Sequence, residues 1–83
     1  MITTKDDLAN WFERGLKEKA THMIIVCDTF DNSDYPVFVS PEENVKEIHD
    51  RNHNPGAMSR VMEVYNLSMD MNEQLSQYRV FNW

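Results

Sequence analysis

Residues 21–40, THMIIVCDTFDNSDYPVFVS, decide how the rest of the chain is read. Met23-Ile24-Ile25-Val26-Cys27 is a continuous apolar run, largely β-branched, of the kind a strand carries when both of its faces are covered. It is expected at the centre of a sheet, with Cys27 in the core. Asp28 to Asp34 has the composition of a turn, and Tyr35-Pro36-Val37-Phe38-Val39 returns as a second strand. Pro36 donates no ladder hydrogen bond, so it has to sit at the strand's beginning or on an edge.

On the N-terminal side, Thr4 is placed to cap a helix that begins at Lys5, with Asp6 and Asp7 at the positive end of its dipole. Leu8, Trp11, Phe12 and Leu16 then share one helical face, and Gly15 weakens the helix by up to about 1 kcal/mol. Packing has to hold it. On the C-terminal side, Ser40-Pro41-Glu42-Glu43 reads as a helix start, with Ser40 as N-cap, Pro41 first in the helix and Glu43 closing a capping box. Val45, Ile48 and His49 face inward, and the helix runs to about His49 or Arg51, before the turn Asn52 to Gly56. Met58 to Leu67 reads as a third strand with mixed faces, hence an edge strand. Asp70 to Glu73 opens a short helix with Met71, Leu75 and Tyr78 on one side, and the chain ends Val80-Phe81-Asn82-Trp83. A tail so apolar is expected to pack across the second face of the sheet or to dock on another subunit or partner.

The expected fold is therefore α+β, a single small domain over residues 1–83 with element order α-β-β-α-β-α. Its three-stranded antiparallel sheet runs in the order 2-1-3, and residues 68–83 form a C-terminal helix and apolar tail.

Eighty-three residues bury only about 60–65% of their unfolded surface, which leaves little room for a deep polar pocket. That favours a binding module over an enzyme. A single cysteine allows no intrachain disulfide and fits a reducing compartment. The sequence shows no charged-then-apolar leader and no apolar run of about 18 residues, so a cytoplasmic protein without a membrane span is expected. The net charge of −6 is concentrated, because residues 22–44 contain five acids and no Lys or Arg. Direct nucleic-acid binding is disfavoured, and a partner with a basic surface is the electrostatic match.

The strings Ala20-Thr21-His22-Met23-Ile24, Val26-Cys27-Asp28-Thr29-Phe30-Asp31, Asp34-Tyr35-Pro36-Val37 and Arg60-Val61-Met62-Glu63-Val64-Tyr65-Asn66-Leu67 together resemble a group of short proteins of bacteria, prophages and phages. The resemblance spans residues 8–67. The group has no assigned activity, ligand or catalytic residue, so no role passes to any position. It implies a cytoplasmic setting and a phage origin, where small acidic proteins often bind and block a host component.

Asp28, Asp31 and Asp34 recur at every third position, a pattern that suits oxygen ligation of a hard cation, yet the glycine and ligand alternation of a calcium loop are missing. Asx-turns explain the pattern more simply. Asp28 directly after a buried strand matches the position of a hydrolase's metal-binding carboxylate, with no second acidic motif to support it. His49 and His53 stand at zinc-ligand spacing, with His22 or Cys27 as a third ligand, but imidazoles near a helix C-terminus are favourable without a metal.

No metal or cofactor is expected. The leading expectation is a non-enzymatic protein-binding module, an inhibitor or modulator of a host defence or nucleic-acid-handling protein. Asp28, Phe30, Asp31, Asp34 and Tyr35 form its acidic-aromatic face, while Phe81 and Trp83 serve a homodimer or a second contact. The alternative is a small-ligand or metal-binding protein acting as a dimer, and a hydrolase using Asp28 stands behind both.

Overall fold

The computed structural model describes residues 3–77 and 79–83. Its elements are α1 (Lys5–Lys17), β1 (His22–Asp28), β2 (Ser33–Val39), α2 (Val45–Asn52), a 3-10 turn (Pro55–Ala57), β3 (Ser59–Asn66) and α3 (Met71–Leu75). The sheet is antiparallel throughout, in the order β2-β1-β3. Tyr78, expected beside Met71 and Leu75, lies outside the described residues. Among the described residues no helix is long and apolar enough to cross a membrane.

β1 is central because its apolar run serves two cores. Met23 and Ile25 pack with Phe12, Tyr65, Leu67 and Val80 beneath α1 and α3. Ile24 and Val26 pack on the other side with Val39, Val61, Val64 and Ile48 of α2. Successive strand residues point to opposite faces, so only an unbroken apolar run can feed both layers. Cys27 falls outside this run of burial. It is half-buried rather than core, at the loop end of β1 where its cross-strand partners are the charged Asp34 and Arg60.

α1 starts as expected: the Thr4 hydroxyl accepts from Asp7 N–H at 3.2 Å and the Asp7 carboxylate accepts from Thr4 N–H at 3.1 Å. It stops in a Schellman motif, with Ala20 N–H donating to Gly15 O and Lys19 N–H to Leu16 O. Lys19 occupies the left-handed position at φ 60°. The inward stripe is Leu8, Trp11, Phe12 and Gly15, and Leu16 turns out to be 49% exposed. Gly15 takes the inward place because a Cβ there would lie 2.8 Å from Leu67 Cδ1 and 2.9 Å from Phe38 Cε1. The glycine that weakens the isolated helix is what lets it close on the sheet.

α2 begins four residues later than Ser40 and Pro41 suggest. Glu43 Oε1 accepts from Ser40 N–H and Glu43 N–H donates to Ser40 O, both at 3.0 Å, so this segment closes on itself as a turn. Asn44 is the cap, its Oδ1 accepting from Lys46 N–H at 2.9 Å and Glu47 N–H at 3.2 Å. The helix then runs one residue past Arg51, to Asn52.

The tail lies along the sheet's edge rather than across its second face. Val64 N–H donates to Val80 O at 2.8 Å and Asn82 N–H donates to Val64 O at 2.9 Å, a parallel bridge on the outer side of β3. The open edge of β3 supplies backbone groups that a bare face does not. Val80 is thereby buried under α1 and α3, while Phe81 and Trp83 emerge on the α2 side.

Candidate functional site

Asx-turns order the loop between β1 and β2. Asp28 Oδ1 accepts from Phe30 N–H at 2.9 Å, and Asp31 Oδ1 accepts from Ser33 N–H at 3.0 Å and from its hydroxyl at 2.6 Å. Those two Ser33 donors hold the Asp31 carboxyl below its ordinary value. Asn32 takes the left-handed conformation at φ 58°, which asparagine tolerates. The loop is also tied to the corner before β3, since Thr29 N–H donates to Met58 O at 2.9 Å. Phe30 stands at the tip of this braced loop, 79% exposed, and Met58 at the adjoining corner is 51% exposed.

The expected acidic-aromatic face does not come together as one surface. Asp34 opposes Cys27 in the β1–β2 register and Tyr35 opposes Val26, so the two side chains leave on opposite faces of the sheet. Asp34 lines a cavity on the α1 and α3 side, together with Glu63 and Lys5. Tyr35 stays on the α2 side. Asp28, Phe30 and Asp31 remain at the loop end, and Met58 joins them there through a backbone bond that no sequence pattern announces.

Phe81 and Trp83 are held by their own domain. The Trp83 ring meets His49 edge-on with centroids 5.1 Å apart, Lys46 Nζ lies 5.8 Å from the Trp83 centroid, and Phe81 is 6.3 Å from Trp83. Both side chains keep somewhat more than two fifths of their surface exposed. That outer part is all they present to a second contact.

The histidine pair does not converge on a common point. His49 and His53 stack with centroids 5.5 Å apart and planes 13° from parallel, and His53 Nδ1 accepts from Val61 N–H at 3.1 Å. His22 and Cys27 sit at opposite ends of β1, about 17 Å apart at strand rise. Among the described residues no group of three or more His, Cys, Asp or Glu side chains is placed to hold a metal ion. The Cys27 thiol is pushed up by burial and by the neighbouring Asp34 carboxylate, the reverse of an activated nucleophile. Asp28 has one oxygen engaged in the loop, and among the described residues it belongs to no group of three or more potential metal ligands.

Two polar groups that sequence patterns passed over organise the other side of the sheet. Glu63 Oε1 accepts from the Tyr65 hydroxyl at 3.0 Å and Oε2 accepts from Val80 N–H at 3.1 Å. Burial, then the Glu63 charge, push Tyr65 upward, so its hydroxyl stays a donor. Gln74, 1% exposed, links β3, α3 and the tail through Asn66 and Asn82. No family model, curated protein or solved structure matches this chain.

Proposed function

We propose that the protein is a non-catalytic binding module that docks a partner protein through the Phe30 end of the sheet. The observation that carries this reading is the 79% exposure of Phe30 on a loop braced at Asp28, Asp31 and Thr29. A mobile loop tip with an exposed ring would lose entropy on binding; a braced one has already lost it. Burying such a ring in an apolar socket contributes about 2–3 kcal/mol. Asp28 and Asp31 flank it with negative charge, so the fitting partner has a socket rimmed by Lys or Arg, and its association weakens with salt. Met58 supplies a second apolar contact beside Phe30. The narrower reading, a modulator of a host nucleic-acid-handling protein, rests on the acidic loop, now with two carboxylates at the loop end instead of three, and on the phage setting that the resemblance implies.

The test is affinity capture from bacterial lysate followed by binding of the purified partner to three forms of the chain: intact, Phe30→Ser, and Phe81→Ser with Trp83→Ser. Binding lost in Phe30→Ser and kept in the tail variant supports the loop end. A partner held equally well by Phe30→Ser moves the contact elsewhere and defeats the proposal.

A further inference from the structure

The face of the sheet under α1 and α3 is incompletely roofed. α3 has only five residues, and the register between β1 and β3 shifts between Ile25 and Val26, so that Met62 becomes an extra residue on β3. A cavity of about 290 Å³ lies there. Its apolar lining comes from Leu8, Ile25, Met62 and Leu75. Among the described residues its charged lining comes in equal numbers of each sign, Asp34 and Glu63 against Lys5 and Arg79.

Glu63 is not free to swing out of this wall. Its two oxygens are fixed by the Tyr65 hydroxyl and by Val80 N–H, and Tyr65 itself is buried. Each oxygen keeps a lone pair for a further donor. The volume falls at the lower bound of the roughly 300–1,000 Å³ of small-molecule sites, which suits a ligand of amino-acid size rather than a nucleotide. A purely cationic ligand would meet Lys5 and Arg79, and a purely anionic one would meet Asp34 and Glu63. The match is a molecule carrying both charges.

We propose that this cavity binds a small zwitterion with an apolar body, an apolar α-amino acid being the type. Its ammonium group pairs with Glu63 and Asp34, its carboxylate with Lys5 at the start of α1, and its side chain lies against Leu8, Met62 and Leu75. The site is separate from the Phe30 loop end, and neither reading depends on the other.

The test is a titration of the full chain with L-phenylalanine, followed by amide shifts in ¹H–¹⁵N spectra. N-acetyl-L-phenylalanine, which lacks the ammonium, and L-phenylalaninamide, which lacks the carboxylate, are run beside it. Phenylalanine is expected to bind with a Kd on the order of 0.1–1 mM, as the size of such a ligand implies, and to shift amides at Ile25, Met62, Glu63 and Leu75. Each analogue should bind about tenfold more weakly. Lys5→Gln changes an exposed residue at the helix start, so it tests the site without threatening the fold. It should weaken phenylalanine and leave phenylalaninamide unaffected, while Asp34→Asn should do the converse with the N-acetyl form as its unaffected control. Unmoved cavity amides at about 10 mM, well above the expected Kd, would overturn the proposal. Equal binding of all three compounds, or Lys5→Gln binding phenylalanine as the intact chain does, would overturn it too.

Discussion

Replacing Gln74 by alanine tests how this small fold is held at its C-terminal end. The side chain is 1% exposed and all of its hydrogen-bonding capacity is used. Oε1 accepts from Asn66 N–H at 2.9 Å and from Asn82 Nδ2 at 3.0 Å, and Nε2 donates to Asn66 O at 2.9 Å and Asp70 O at 3.2 Å. Each bond is worth about 0.5–1.5 kcal/mol net, and a buried backbone group left without a partner costs about 1–3 kcal/mol. Asn66 N–H would lose its partner, while the Asn66 carbonyl would lose the amide donor but keep Met69 N–H at 3.1 Å, and water entering at this half-buried position would recover part of the loss. The expected cost is about 2–4 kcal/mol, against a total stability of roughly 4–12 kcal/mol for a chain of this length. In thermal unfolding that corresponds to a fall of roughly 10–30 °C.

The assays are urea unfolding followed by tryptophan fluorescence and amide hydrogen exchange. Exchange at Asn66 and Asn82 should accelerate more than exchange in β1, because the tail and the end of β3 loosen first. Gln74→Glu keeps the shape and the acceptors but turns a carboxylate toward the Asn66 and Asp70 carbonyls. Its deficit should therefore shrink as pH falls. A loss below about 1 kcal/mol for Gln74→Ala, with Asn66 and Asn82 exchange unchanged, would refute the argument that this amide joins β3, α3 and the tail.

Three other outcomes follow from local geometry. Asn44→Ala should cost about 1 kcal/mol in chemical denaturation, whereas Ser40→Ala should stay within about 0.5 kcal/mol, since Asn44 and not Ser40 caps α2. Lys19→Gly should stabilise by about 0.5–1 kcal/mol, because the left-handed strain it relieves exceeds the chain entropy that glycine adds; unchanged or lowered stability would count against a strained Schellman position. The depressed Asp31 carboxyl contributes stability above its unfolded value near 3.8 and loses it as pH falls through the lower folded value. Asp31→Asn should accordingly flatten the stability profile below about pH 4, with the Ser33 amide resonance as the local reporter.

The parts of the fold that were legible in the sequence are those fixed by neighbours along the chain. Thr4 and Asp7, or Asp70 and Glu73, lie three residues apart, so their capping bonds can be read from spacing alone. The acidic loop folds into Asx-turns for the same reason. Where two local solutions competed, spacing did not choose between them: Ser40 and Glu43 closed a turn, and Asn44, directly before the apolar Val45, took the cap. The Cys27 expectation failed because apolar character says that a residue is suited to burial, not which neighbours flank it across the sheet, here the charged Asp34 and Arg60.

The unbroken run Met23 to Val26 determined by itself that β1 is central, that the sheet has two covered faces, and that its order is 2-1-3. The tertiary structure decided where the charged residues went. Asp28, Asp31 and Asp34 look like one cluster in the sequence, but the pairings Asp28 with Ser33 and Cys27 with Asp34 send Asp34 to the opposite face from Tyr35 and into the α1 and α3 cavity. Glu63 and Gln74 acquired their partners across 17 and 8 residues respectively. Hydrophobic burial depends on composition averaged along an element and survives small errors of register. A polar contact depends on which of two faces a side chain leaves from, and a single residue of register reverses that.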